Sequence, residues 1–483
     1  MKNTPWVMVR RLCLCLLSIW LATAGLACAP ARAVGPPPGL GQLAASAARP
    51  EPQLELALSQ SIPQGLALAE PELPAAAEVW RALFQGARSH IEIAQFYVQS
   101  EPGEAMAPIL DELLAAGRRG VRVRVLLSST MKGNDVASQE RLKAAPGVEV
   151  RYLNLARTGG ILHAKYLLVD DELLYVGSQN FDWRSLTQIH ELGVRVRSRP
   201  LAGQLGAIFA LDWELAAAPA GEPPAQAAAS APGESSLPAA AVSAPSEPSL
   251  PAAAASAPGV SAVPAAAPAS ALPLPAAQPG PPPASPLPAA QPGPPPEVEL
   301  VASPPSLLPP GTRPAIAALV ELLRGARRSV HVQLLKYTPY PFRSPTVWPV
   351  IDAELRAAAA RGVKVRLLVS NWNTSRPAID HLKELSQLPG IEVRIATVPE
   401  LPGRFIPFAR VVHSKYLIVD EQILWVGTAN WEPGMFLGCR NIELVIRRPA
   451  LAAQGERIFG KLWDSPYALA VDPQREYVPP RIK

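Results

Sequence analysis

Cysteine is scarce in this sequence. Of four in 483 residues, Cys13, Cys15 and Cys28 fall within the first 33, which leaves Cys439 alone in the body of the chain. A lone thiol excludes an intrachain disulfide and a cysteine-based zinc site. A surplus of positive charge is lacking as well. Lys+Arg number 45 against 40 Asp+Glu, but Lys2, Arg10, Arg11 and Arg32 lie in an acid-free N-terminal stretch, and subtracting those four leaves 41 against 40. With no bulk positive field, the pI near 9.0 is poor evidence for nucleic-acid binding. Between 216 and 296 there is no aromatic, no Lys and no Arg, and 23 of 81 residues are proline. Such a stretch cannot build a core. Pro273–Pro283 and Pro286–Pro296 carry the same eleven residues, so 216–296 reads as a solvated, semi-stiff, disordered tether of the polyproline kind. Its functional alternative is a spacer through a cell wall or periplasm.

At the other end, Lys2, Arg10 and Arg11 precede an uncharged run from Leu12 to Ala29, followed by small residues at Ala29, Ala31 and Ala33. This pattern predicts a signal peptide over 1–33 and export to the periplasm or exterior, with a disordered segment at 34–53. The apolar run is also long enough to serve as an uncleaved membrane anchor, which is the alternative.

The remainder repeats. Gly86-Ala87-Arg88 answers to Gly325-Ala326-Arg327, the strand-like run from Gly120 to Leu127 answers to Gly362 to Val369, and Pro146-Gly147-Val148-Glu149-Val150 answers to Pro389-Gly390-Ile391-Glu392-Val393. Each half reads as a helix ending at Gly86 or Gly325, a strand, a second helix (about Met106 to Ala116, Val350 to Ala360), an alternating strand, another helix and further strands. Helix and strand in alternation predict an α/β lobe, duplicated and fused, over 54–215 and 297–483.

Inside the repeat lie His163-Ala164-Lys165, Asp170, Gly177-Ser178 and Asn180, and again His413-Ser414-Lys415, Asp420, Gly427-Thr428 and Asn430, with identical internal spacing. Six specified positions recur by chance roughly once in tens of millions of starting points, so two copies are a strong signal. Ile161 to Val169 is β-branched and aliphatic, and predicts a strand from which His163 and Lys165 project on one face. Asp170, an odd number of residues on, points away from that face beside a turn at Asp170-Asp171. Asp170 and Asp420 are therefore assigned to pinning a hairpin. Gly177 and Gly427 leave room for close approach by another backbone or a ligand.

One half offers one imidazole, one ammonium and one amide; two halves together offer the set that in-line displacement at a phosphodiester requires. One neutral histidine attacks phosphorus, and the other, protonated, donates to the departing oxygen. Lys165, Lys415, Asn180 and Asn430 would neutralise the non-bridging oxygens. No metal or cofactor is required. A carboxylate should orient each ring, and Glu191 and Glu443, 28 and 30 residues beyond their histidines, are the matching acids. His381-Leu382-Lys383 is a decoy, placed on a surface helix where residues two apart diverge. His90, His190 and His331 lack matched counterparts and are read as structural, and Cys439 as a small buried hydrophobe. Trp183 and Trp431, just after the asparagines, suit core packing or substrate stacking equally.

The doubled H-x-K-x4-D-x6-G-[S/T]-x-N pattern resembles the phospholipase D superfamily. That resemblance implies two homologous lobes, each a mixed β-sheet flanked by helices, forming one pseudo-twofold unit with the site at the seam; a monomer suffices. It also implies that His163 is the nucleophile and His413 the acid, and that an acid placed like Glu191 or Glu443 contacts a histidine. Gly177 to Gln188, Val347 to Asp352, Pro407 to Val411 and Trp463-Asp464-Ser465-Pro466-Tyr467 are similar to the animal endolysosomal branch, types three and four. The likeness covers about Leu54 to Glu214 and Val298 to Asp472. The chain departs from that branch in its long Pro/Ala insert, its few cysteines, and Asp420 where some relatives carry Glu. The expected activity is an exported phosphodiesterase acting by hydrolysis or transfer, with phospholipid head groups as the leading substrate and a membrane surface as a possible partner. The alternative is a 5′-exonuclease on single-stranded DNA or RNA with the same mechanism.

Overall fold

The computed structural model describes residues 54–217, 295–342, 344 and 346–483. The leader 1–33, the segment 34–53 and all but the ends of the tether lie outside the described residues. Among the described residues each half builds one large sheet, and the first adds a two-stranded pairing of Val98–Gln99 with Phe181–Asp182. The first contains β1 (Glu55–Ser61), β2 (His90–Gln95), β3 (Arg122–Ser128), β4 (Val148–Leu153), β5 (Tyr166–Val169), β6 (Leu173–Gly177) and β7 (Glu191–Arg197), in the spatial order β1-β7-β6-β5-β2-β3-β4. The second contains β8 (Val298–Ser303), β9 (Ser329–Leu334), β10 (Lys364–Ser370), β11 (Ile391–Ala396), β12 (Tyr416–Val419), β13 (Ile423–Gly427) and β14 (Asn441–Ile446). Its order is the same with seven added to each label, plus short edge strands at Arg313–Pro314 and Ala468–Ala470. The duplicated α/β architecture expected from the sequence is present.

Periodicity explains the elements. In α1 (Ala76–Gly86) Val79, Trp80, Leu83 and Phe84 are buried, and in α6 (Ala315–Gly325) Ala318, Leu319, Leu322 and Leu323 take the same positions, so each helix lays one apolar stripe on its sheet. Strands β2, β3 and β4 run parallel, whereas β5 pairs antiparallel with β2 and turns back into β6. That turn is where Asp170 acts. Asp170, Asp171 and Asp420 have φ near +55°, a conformation that aspartate tolerates, and Glu421 adopts the same φ at the second turn. The Asp170 carboxylate accepts from the backbone N–H groups of Arg88, Ser89 and His90 and from the Ser89 hydroxyl at 2.8–3.1 Å. Asp420 does the same for Arg327, Arg328 and Ser329. The aspartate thus ties the hairpin to the junction between the Gly-Ala-Arg helix end and the next strand. Burial raises the Asp170 carboxyl but the donated hydrogen bonds outweigh it and hold it below the usual range. A depressed carboxyl stabilises the fold above its unfolded pKa and loses that contribution as pH falls through the folded value. Asp170→Ala is expected to lower unfolding free energy by about 1–3 kcal/mol, the cost of stranding donors, with turnover of the folded fraction intact. Denaturant titration with an activity assay checks this: unchanged stability with lost activity would reassign Asp170 to the chemistry.

The lobes share a core. One apolar cluster runs through α5 (Arg199–Ala217) and α10 (Pro449–Trp463) and takes residues from β5, β6 and β7 together with β8, β12, β13 and β14. Backbone bridges stitch the seam: His163 N donates to Arg440 O (3.0 Å) and Arg440 N to Ile161 O (2.9 Å), while His413 N donates to His190 O (2.9 Å) and His190 N to Val411 O (3.0 Å). A Cβ on Gly160 would collide with the backbone of Gly438, so this contact demands glycine. No helix among the described residues is long and apolar enough to cross a membrane.

Candidate active site

Both histidines sit on the stitched segments. The predicted strand from Ile161 begins only at Tyr166, because 161–163 spend their hydrogen bonds on the opposite lobe, not on their own sheet. That diversion places His163 and His413 at the seam, each 7% exposed. Lys165 Nζ donates to His163 O (2.6 Å) and Lys415 Nζ to His413 O, so each lysine folds back onto the backbone of its own histidine. Each lysine also acts electrostatically on the histidine of the other lobe. Asn180 and Asn430 are buried, and among the described residues their amide oxygens have no hydrogen-bond partner.

The carboxylates behave differently from expectation. Glu191, at the start of β7, holds the ring of the other lobe: both of its oxygens lie 2.9 Å from His413 Nδ1. Glu443 orients neither ring. Its Oε1 accepts from Ala429 N (3.1 Å), and its Oε2 is buried without a partner among the described residues. His163 Nδ1 instead meets Asn441 Oδ1 at 3.0 Å. Register explains the correction. Ser61 pairs with Glu191 and Ser303 with Asn441, while Gly193 opposite Gly177 corresponds to Glu443 opposite Gly427. The histidines, lysines, aspartates and asparagines of the two motifs are all 250 apart, and adding 250 to Glu191 lands on Asn441. Sequence reasoning matched acid to acid where a constant offset would have matched position to position.

Gly177 and Gly427 make room for neighbouring strands: a Cβ on Gly177 would lie 2.8 Å from Gly193 Cα, and one on Gly427 3.0 Å from Ile442 O. Trp183 and Trp431 are buried in the core. His190 joins a polar network at the seam, with Nδ1 3.3 Å from Ser414 Oγ and 3.2 Å from Gln333 Nε2. His331 pairs with Glu456 at 2.8 Å, and His90 lies 3.2 Å from Asp171. His381 lies on α8 (Ala378–Ser386) but faces inward, against expectation, with Nε2 2.8 Å from Asp352 Oδ1 and its ring near Tyr337. Cys439 is free and buried, which pushes its thiol up to about 11. Phe96 packs on the His163 ring at 5.7 Å, a contact the sequence did not signal.

Burial dominates the electrostatics. It drives His163 and His413 well below their ordinary values, reinforced in each case by Lys165 and Lys415, lowers Lys165 to about 7, and holds Lys415 well below its ordinary value. It raises Glu191 to about 7 and Glu443 to about 8. Below about pH 7 the Glu191–His413 pair therefore keeps one proton between its members. With the carboxyl raised and the imidazole lowered, the proton makes a carboxylic acid donating to Nδ1, and Nε2 of His413 carries hydrogen. Among the described residues, no three His, Cys, Asp or Glu side chains are grouped to hold a metal ion.

A family model described as "Cardiolipin synthase, PLD-like domain" matches residues 81–213 and 319–463, more than half of the chain and both motifs. The chain belongs to the phospholipase D superfamily. Within the superfamily it is 31% identical over 452 residues to "5'-3' exonuclease PLD3" of Rattus norvegicus, covering 88% of this chain and 82% of that one. It is 30% identical over 420 residues to "Phospholipase D Z" of Dictyostelium discoideum, covering 82% and 86%. In fold it is similar to phosphatidylserine synthase of Haemophilus influenzae Rd KW20, with a TM-score of 0.52 at 12% identity over 82% of this chain and 85% of that one. It is a phosphodiesterase of the phospholipase D superfamily, in the PLD3 branch.

Proposed function

We propose that the chain is an exported phosphodiesterase that opens or transfers phospholipid head groups through a phosphohistidine, as a monomer whose two lobes form one site. The observation that carries this is the unequal pair of imidazoles across the seam, His163 against an amide and His413 against a carboxyl. In the resting site only His413 has an acid partner to hold a proton, so His163 is the neutral nucleophile. His163 Nε2 bonds to phosphorus as the bond to the leaving oxygen breaks, and that oxygen takes the proton from His413 Nε2. Water or an alcohol then attacks the phosphohistidine and gives its proton to His413. The side chains of Lys165, Lys415, Asn180 and Asn430 surround the phosphoryl oxygens. Binding a phosphodiester anion restores positive charge on the lysines that burial has depressed.

Near-complete burial of both rings suits a phosphodiester at a molecule's end, a head group or a strand terminus, over one in the middle of a chain. Near-neutral charge outside the leader and the likeness to Phospholipase D Z support lipid. A second reading, 5′-exonuclease action on single-stranded nucleic acid, is favoured by the likeness to the exonuclease PLD3 proteins. Parallel assays on phosphatidylglycerol vesicles and 5′-hydroxyl oligonucleotides, with EDTA present, decide between them; turnover of neither removes both.

The pH profile follows from the site. Loss of the pair's proton as pH rises past about 7 removes the acid, and protonation of His163 at low pH removes the nucleophile. A bell in kcat/KM with its optimum on the acidic side of neutrality is the expected result, and a rate still climbing above pH 8 would contradict it.

A further inference from the structure

We propose that Asn441 is a positioning residue that locks His163 into the tautomer with hydrogen on Nδ1 and a free lone pair on Nε2. The inference deepens the nucleophile assignment above and rests on it. The amide cannot turn over. Asn441 Nδ2 donates to the carbonyl of Met435 (2.8 Å), an acceptor only, and Oδ1 accepts from the Thr428 hydroxyl (2.9 Å), whose oxygen in turn accepts from Ile442 N (3.1 Å). Oδ1 therefore faces His163, and an acceptor opposite Nδ1 at 3.0 Å fixes the proton there. Nε2 is left bare toward the site.

The same position in the first lobe is Glu191, and the difference in charge separates the two histidines. A carboxylate at 441 would favour the imidazolium of His163 and withdraw the nucleophile. An amide gives the same geometry without that pull. The other groups acting on His163 are Lys165 on its own segment and Lys415 and His413 from the opposite lobe, all of which oppose a positive ring; Glu191, Glu443 and Cys439 act on Lys165. The Phe96 ring lies tilted against the imidazole, its centroid 5.7 Å away, and offers it no hydrogen-bonding group. Asn441 thus supplies orientation and the lysines supply neutrality.

The test is long-range proton–nitrogen NMR of the full chain labelled with 15N-histidine, with the His163 signal assigned by its loss in His163→Gln. In the wild type, His163 is expected as the Nδ1–H tautomer, neutral across the plateau of kcat/KM and charging only along its acid limb. In Asn441→Asp its titration is expected to move up by about one to three pH units, within the range an adjacent carboxylate produces. The acid limb of kcat/KM should move with it while the alkaline limb stays. An Nε2–H tautomer in the wild type overturns the proposal, and so does an unmoved His163 titration in folded Asn441→Asp. If the variant fails to fold, the wild-type tautomer alone decides. The NMR readout needs no substrate: wild-type protein without turnover sinks the proposed reaction and leaves this measurement standing.

Discussion

His413→Ala is expected to trap phosphorus on the enzyme. With an alkyl or nucleoside leaving group, loss of the general acid should lower kcat by about 10²–10⁴-fold. With p-nitrophenol as leaving group, which departs without a proton, the first displacement should proceed at a rate close to wild type. The second should stall, because His413 is also the base that activates water. A burst of one equivalent of p-nitrophenol, with the phosphoryl group and its remaining ester recovered on His163 by mass spectrometry after alkaline quench, is the predicted signature. His163→Ala should show no burst and lose turnover of both substrates by on the order of 10⁴-fold or more, and the double variant should be no worse, since the two rings act as a unit. The assignment of roles rests on the neighbours: an amide at His163 and a protonated carboxyl pair at His413. The phosphoryl group found on His413 in His163→Ala would reverse it. Undiminished turnover in His163→Ala would remove the phosphohistidine altogether.

The parts of this site written twice in the sequence were legible; the parts made only by the seam were not. Two H-x-K patterns at equal spacing marked the imidazoles and lysines, and parity along the chain placed Asp170 away from them, where it clamps the helix end of Gly86-Ala87-Arg88. Strand periodicity failed at 161–163 because the backbone groups of Ile161 and His163 bond to Arg440, more than 270 positions away, a pairing no local pattern encodes. The same cause hid Glu191 as partner of the opposite histidine. Asn441 was hidden by chemistry, since the search for a second acid passed over an amide at the equivalent register. His381 was misplaced outward because its partner, Asp352, lies on α7 (Val350–Ala360), and helical spacing alone does not show which polar residue has company inside.

Asp212→Ala is expected to be among the most destabilising single changes outside the catalytic groups. Arg440 is fully buried between the lobes. Its Nε and one terminal nitrogen fork onto the Asp212 carboxylate at 2.7–3.1 Å, and its remaining donors reach Ser303 O (2.8 Å) and Leu307 O (2.7 Å). Asp212 belongs to α5 of the first lobe, and Arg440 to the segment whose backbone grips His163, so this pair fastens the seam directly behind the nucleophile. Removing the carboxylate leaves a guanidinium in apolar surroundings, a loss of about 3–5 kcal/mol. That is a large share of the roughly 5–15 kcal/mol available to a folded domain. The double variant Asp212→Leu with Arg440→Met, which removes both charges and keeps bulk, should recover much of the loss, because the penalty lies in the unpaired charge and not in the missing attraction. Because Arg440 O and N hold the backbone at 161–163, Asp212→Ala should also lower kcat in the fraction that stays folded, whereas Asp170→Ala should not. Unfolding midpoints and kcat for the single and double variants test both halves of the claim. Equal stability of Asp212→Ala and wild type would show that the seam is held by its apolar core alone.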